Sequence, residues 1–171
     1  MAPLVATQIE YSPFALDVEF PEIKLLETCK ELGVALVAYS PLGRGLLTGK
    51  IRSPDDFEEG DARRTIPRFS AENFPQVMQL TDTIKQIGDR RSATPAQVTI
   101  AWLLKQWEMV IPIPGTKKIK YYDENMEALK LTLTDAEDAE IREAARKMDF
   151  VDERQSAIWG QSFGDTVPLK G

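Results

Sequence analysis

Apolar residues along this chain fall into short runs, separated by longer stretches in which they recur every three or four positions. Three segments read as strands, each closed by a polar or glycine-marked turn: Gln8-Ile9-Glu10-Tyr11-Ser12-Pro13, Val34 to Gly45, and Val110 to Lys118. Within the second, Val34-Ala35-Leu36-Val37-Ala38-Tyr39 is nearly continuous in apolar character, which suits a parallel strand covered on both faces. The stretch before it supplies the crossover that parallel pairing requires. Pro21 stands where a first helical residue is favoured, Leu25, Leu26, Cys29 and Leu32 share a helical face, and Gly33 follows as a stop. A βαβ unit is the natural expectation.

From Gly43 to Asn73 the chain is rich in glycine, proline and charge, with little periodicity. A loop of that length inside a compact domain is usually a lid, a binding loop or disordered. Beyond it, Val77, Leu80, Ile84 and Ile87 mark an amphipathic helix. A second helix opens at Thr94-Pro95-Ala96-Gln97, which has the spacing of a capping box with proline at the first helical position. Its body, from Val98 to Trp107, is apolar nearly all round and should be heavily buried. Met109 to Pro114 reads as a short strand ending at a loop mouth, because its prolines cannot donate to a ladder. A short helix is expected around Glu124 to Leu129, then a longer one capped by Thr134 and Glu137 with Ile141, Ala144, Ala145 and Met148 facing inward. Residues 1–150 are expected to form the strand and helix body and 151–171 an irregular tail, in a chain of α/β class that is either a small domain or part of a larger one.

Composition narrows the function classes. The chain has 171 residues, 43% of them apolar and 28% charged, as in globular domains. No apolar run approaches the roughly 20 residues that cross a bilayer. The formal net charge is −6, with acidic clusters at Asp55 to Asp61 and Thr134 to Glu143, which disfavours general attraction to nucleic acid or anionic lipid. Cys29 is the single cysteine, so a disulfide framework within the chain is ruled out, and the absence of histidine removes imidazole base catalysis and His-ligated metal chemistry. Met1 to Ala6 lacks the basic start of a secretory signal, and cytoplasm is the expected compartment.

Candidate chemistry gathers at the strand ends. The amide of Gln8 offers one donor and one acceptor, suited to pairing with another amide. Tyr39 presents a flat aromatic face, and the glycines of Ser40-Pro41-Leu42-Gly43-Arg44-Gly45 could let backbone N–H groups approach an anion. Taken alone, Gln8 could equally be an ordinary polar strand residue and Tyr39 a core tyrosine. Lys50, Arg63 and Arg64 could be solvated surface charge. Cys29 reads as a small buried hydrophobe, and Trp102 and Trp107 as packing residues.

Together these segments resemble the last strands of an aldo-keto reductase barrel, closest to the longer-loop microbial and fungal members. The resemblance rests on Gln8 to Phe14, on Ala38 to Lys50, and on Ile113-Pro114-Gly115-Thr116-Lys117-Lys118 followed by Glu124-Asn125. It implies the C-terminal part of a (β/α)8 TIM barrel, strands six to eight with their helices, since a whole barrel takes about 250 residues. It also implies an NADP(H) cofactor. Gln8 would pair with the nicotinamide carboxamide and Tyr39 would stack on the nicotinamide ring. Ser40, Pro41, Leu42, Gly43, Arg44 and Gly45 would wrap the pyrophosphate, with Lys50 and Arg64 as basic contacts. Gly115, Thr116, Lys117 and Lys118 would take the 2′-phosphate of the adenosine ribose, and Glu124 and Asn125 would contact the adenine. Where the family often has arginine five residues after the hydroxyl position, this chain has Tyr121.

The family's catalytic aspartate, tyrosine, lysine and histidine would lie upstream of Met1, so the resemblance assigns no catalytic residue here. Tyr39 is not the proton-donating tyrosine. The implied activity of an intact member is reduction of aldehydes or ketones to alcohols, with this chain alone inactive or very weak. The alternative expectation is a non-catalytic NADP(H)-binding module, or one that associates through open barrel edges with itself or a complementary fragment, or an incomplete gene product. In the family the region of Trp159 and Phe163 closes over a small carbonyl substrate.

Overall fold

A computed structural model describes residues 3–148. Three parallel strands, β1 (Ala6–Glu10), β2 (Ala35–Tyr39) and β3 (Val110–Pro112), lie side by side in that order. Their register places Gln8 beside Val37 and Val37 beside Ile111, so these three side chains share one face. Leu36, Ala38 and Val110 point the other way, into the main core. Gln8 and Ile111 are exposed and Val37 half-buried, whereas Leu36 and Ala38 are fully buried. The apolar run of β2 thus has a helical cover on one face, and its other face is only partly covered among the described residues.

Five helices accompany the sheet: α1 (Leu25–Leu32), α2 (Phe74–Arg91), α3 (Pro95–Gln106), α4 (Ile119–Glu127) and α5 (Asp135–Arg146). Helix α2 packs against α3 and α5, and α3 also meets β3 and α4. The amphipathic pattern of α2 holds in full, with Val77, Leu80, Ile84 and Ile87 buried. Both capping boxes form. Thr94 accepts from the Gln97 backbone N–H while the Gln97 side chain accepts from Thr94 N–H, and Thr134 with Glu137 does the same at α5. The Glu137 carboxyl is held below its usual range: burial opposes this, but the hydrogen bonds from Thr134 outweigh it.

Three local expectations need correction. Pro21 does not open α1; Ile23 and Lys24 donate to the Phe20 carbonyl in a preceding turn, and the helix starts at Leu25. Leu32 does not join the buried face. At about 100° per residue it falls to the side of the Leu26–Cys29 stripe and is exposed. The helix expected around Glu124 to Leu129 instead begins at Ile119, because Lys118 already accepts the first helical N–H groups from Tyr121 and Tyr122, and it tightens into a 3₁₀ turn at Ala128–Lys130. Residues 149–171, including Trp159 and Phe163, lie outside the described part.

The long stretch from Gly43 to Asn73 is ordered as a chain of 3₁₀ turns that feeds the core. Leu46, Leu47, Phe57, Ile66 and Phe69 are all buried, and Phe57 stacks at an angle on Phe69 with ring centres 5.6 Å apart. Arg68 runs inward to Glu10 at the end of β1, 3.6 Å from its carboxylate, with both side chains at least nine-tenths buried. At its start this stretch turns through three successive left-handed residues, Gly43, Arg44 and Gly45. Gly43 has no room for a side chain: a Cβ there would stand 2.4 Å from Phe14 Cδ2 and 3.3 Å from Leu47 Cγ.

Two outcomes follow from this packing. Gly43→Ala should lower stability by about 1–3 kcal/mol, because it combines overpacking against Phe14 with a left-handed backbone. Thermal unfolding reads this directly, and an unchanged Tm would show that Phe14 yields freely. Arg68→Ala strands the buried Glu10 carboxylate and should cost about 3–5 kcal/mol in denaturant unfolding, most of it recovered in the Glu10→Gln/Arg68→Met double variant. A loss below about 1 kcal/mol for Arg68→Ala would mean that the pair is solvated in solution.

Candidate functional site

The C-terminal ends of β2 and β3 open into a cleft of about 460 Å³. Ligands of parallel α/β sheets bind at this end, because loops there are free to diverge while the strands fix their starting points. One wall is the turn after β2, contributing Ser40, Pro41, Leu42, Arg44 and Gly45. The opposite wall is the loop after β3, with Ile113, Pro114, Gly115 and Thr116. The floor and far end are Ala96 of α3 and Tyr121, Glu124 and Asn125 of α4, and Lys50 reaches in from the long loop.

The backbone of the first wall is turned by unusual conformations. Ser40 has φ 49° and Arg44 φ 55°, both left-handed without being glycine. Such residues cost free energy and persist only where surrounding contacts fix them. Here the Gly43 N–H donates to the Ser40 carbonyl at 2.9 Å and the Gly45 N–H to the Leu42 carbonyl at 3.0 Å. These two amides are therefore committed within the turn, and the glycines serve to bend the chain. Thr48 donates to the Gly45 carbonyl at 2.6 Å and accepts from the Lys50 N–H, which ties the Lys50 backbone to the cleft wall.

The basic residues of the long loop divide between structural and cleft-facing roles. Arg63 is clamped by Asp61 and donates to the Arg44 carbonyl at 2.9 Å, bracing the turn from behind. The hydrogen bonds from Arg63 hold the Asp61 carboxyl down to about 2. Arg64 donates to the Phe57 and Glu58 carbonyls, stapling the loop to itself away from the cleft. Lys50 instead sets its ammonium 3.8 Å from the centre of the Tyr121 ring, and Lys118 lies 5.7 Å from the same centre. Lys50, by hydrogen bonding and charge, with lesser help from Lys118 and Lys120, holds the half-buried Tyr121 phenol below its ordinary range.

The sixteen residues singled out from sequence therefore separate. Ser40, Pro41, Leu42, Arg44, Gly45, Lys50, Gly115, Thr116, Glu124 and Asn125 meet at the cleft. Gly43 lies buried beneath it, and Arg64 is engaged elsewhere. Gln8 and Tyr39 stand on the less covered face of the sheet, on neighbouring strands, with Tyr39 beside Glu10 in register. Lys117 and Lys118 are exposed at the entrance to α4, and the Thr116 hydroxyl between loop and helix accepts from the Lys118 N–H at 3.2 Å. Sequence reasoning did not single out Thr48, Ala96, Ile113, Pro114 and Tyr121 as cleft residues. Thr48 had a signal in its place between Gly45 and Lys50. Ala96, on a helix remote in sequence from both loops, had none.

Chemically the cleft offers cations at Lys50 and Arg44, hydroxyls at Ser40, Thr48 and Thr116, an aromatic ring, and an apolar wall from Leu42, Ile113 and Pro114. That combination suits an anionic ligand carrying planar rings.

Comparison with known proteins agrees with this arrangement. Residues 1–146 match the aldo/keto reductase family. The aldo-keto reductase str7 of Strobilurus tenacellus is 56% identical over 91% of this chain and 46% of its own length. The aldo-keto reductase yakc of Schizosaccharomyces pombe, whose name carries NADP(+), is 46% identical over 98% of this chain and 49% of its own length. A solved glycerol dehydrogenase from Gluconobacter oxydans superposes with a TM-score of 0.78 at 25% identity, covering 88% of this chain and 46% of that one. The chain thus spans about half the length of the curated relatives it matches. With the strand-end turns, the parallel sheet and the matched span in agreement, this chain belongs to the aldo/keto reductase family.

Proposed function

We propose that this chain is the cofactor-holding C-terminal part of a (β/α)8 barrel aldo-keto reductase, with strands six to eight present, and that its cleft binds NADP(H). The observation that carries the reading is the convergence of three sequence-distant segments, the turn after β2, the loop after β3 and the start of α4, on one cleft at the strand ends. The donor set fits the group, since ammonium and guanidinium charge sits beside hydroxyls and an apolar wall. When bound, NADPH supplies a hydride for a carbonyl carbon. Gln8 would pair with the carboxamide and Tyr39 would cover one ring face, leaving the other side for substrate. Ser40, Leu42, Arg44 and Lys50 would hold the phosphates, Thr116, Lys117 and Lys118 would take the 2′-phosphate, and Glu124 and Asn125 would face the adenine. The proton donor for the carbonyl oxygen belongs to the part of the family pattern that precedes this sequence, so the chain by itself leaves that oxygen unstabilised and turns over poorly if at all. The activity proposed for the intact protein is reduction of aldehydes or ketones to alcohols.

A second reading has its own observation. Ile111 and Ile113 are 49% and 43% exposed at β3, and Leu4 and Val5 are more exposed still just before β1. An open parallel sheet with a partly covered face and exposed isoleucines favours pairing with another copy or a complementary fragment. That makes an association module the alternative.

Fluorescence titration of the purified chain tests the first reading. NADPH should bind at least about tenfold more tightly than NADH, and Lys117→Ala/Lys118→Ala should erase most of that preference. Equal affinities would remove the 2′-phosphate assignment, and turnover of a carbonyl in the same sample would overturn the absence of catalysis. Sedimentation tests the second: association is expected to weaken on Ile111→Lys, and a monomer at every concentration would eliminate it.

A further inference from the structure

Lys50 and Tyr121 come from separate parts of the chain, the end of the turn after β2 and the first turn of α4, yet their side chains are in contact. Both line the main cleft, and both also line a shallower depression on the far side with Thr94, Gln97, Lys120 and Asp123. The pair therefore stands as a partition at the cleft mouth.

A lysine at such a place is ordinarily a mobile point charge on a flexible stem. Here the ammonium rests on a ring rather than on a carboxylate. The neighbouring guanidinium groups differ in this respect: Arg63 is neutralised by Asp61, and Arg52 by Asp82. A ring face restrains an ammonium without cancelling its charge. Lys118 approaches the same ring at 5.7 Å, so one aromatic side chain gathers two positive charges that would otherwise repel each other outward.

We propose that Tyr121 is a positioning residue: its ring holds the Lys50 ammonium, with Lys118 beside it, at the cleft mouth as a preplaced cation site for a phosphate group of the bound nucleotide. This rests on the nucleotide-binding reading above and adds to it how the charge is fixed. The gain is preorganisation, since the ordering of the lysine stem is complete before the phosphate arrives. The ring thus holds at this position a cation borrowed from a loop some seventy residues earlier in the sequence.

The test uses the full chain with Tyr121→Phe, Tyr121→Leu, Lys50→Met and the Lys50→Met/Tyr121→Leu double variant, titrated with NADPH, NADH and inorganic pyrophosphate. Tyr121→Leu should weaken NADPH binding about fivefold, Tyr121→Phe should stay within about twofold of the parent, and the double variant should lose no more than Lys50→Met alone. A loss in Tyr121→Phe equal to that in Tyr121→Leu would overturn the ring's role in favour of its hydroxyl. Additive losses would also overturn it. Independently of any ligand, spectrophotometric titration of the tyrosines should show one phenol moving to higher pH in Lys50→Met, and no movement would deny the contact in solution. Binding of NADPH that is indifferent to Tyr121 removes this inference and leaves the nucleotide reading standing. Failure of the parent chain to bind any of the three probes refutes that reading and this one with it.

Discussion

Trp102 and the charged clamp closed around it tie the beginning of the described chain to its end. The indole is fully buried on α3, Tyr11 meets it edge-on with ring centres 5.6 Å apart, and the Arg142 guanidinium lies 5.1 Å from it. Arg142, on α5, is itself held by Glu19 at 2.6 Å, by Asp138 at 3.1 Å and by the Gln106 side chain, while the Tyr11 hydroxyl donates to Glu19. Burial and then the Glu19 charge push the Tyr11 phenol far above its ordinary value, so it remains a donor. Burial works against the Arg142 charge, yet Glu19 and Asp138 outweigh it and keep the group protonated. Such a network is worth having only when every member is satisfied, and its value lies in fixing one arrangement of β1, α3 and α5. Trp102 Nε1, buried without a hydrogen-bond partner among the described residues, is the cost of placing an indole at the centre.

With those elements fixed, the positions of the strand ends follow, and the cleft is built on them. The turn after β2 must bend sharply to form the cleft wall, and it does so through Gly43, whose missing side chain lets Phe14 pack underneath. Phe14 belongs to the turn after β1, so the wall of the candidate site is supported by the neighbouring strand's own connection. The Arg68–Glu10 pair repeats this logic from further along the loop, joining the last turns of the long segment to the end of β1. A stretch that carries few regular elements is thus pinned at several buried points, and this is why it can present Lys50 to the cleft.

The site combines rigid and borrowed parts. Backbone turns capped by internal hydrogen bonds form its walls, and the charges that would meet an anion come from side chains held by indirect contacts. Arg63 acts behind the wall and Lys50 in front of it, although the two read alike in sequence as basic residues of one loop. Their roles separate only because Asp61 stands beside Arg63 and Tyr121 beside Lys50.

Local sequence determined the elements whose signals repeat at helical or strand spacing or span a single turn. The two capping boxes, the buried stripe of α2, the three strands and their order of appearance were all legible, because each depends on residues within about four positions of one another. The motifs after β2 and β3 likewise marked the strand-end turns that form the cleft. What the tertiary structure alone decided were the meetings of residues far apart in the chain: Gly43 on Phe14, Arg68 on Glu10, Ala96 in the cleft floor and Lys50 on Tyr121. The separations involved follow no period, so nothing local encodes them. They are set by how the helices close over the sheet, and it is those closures that turn a list of basic and polar residues into a cleft with a definite charge at its mouth.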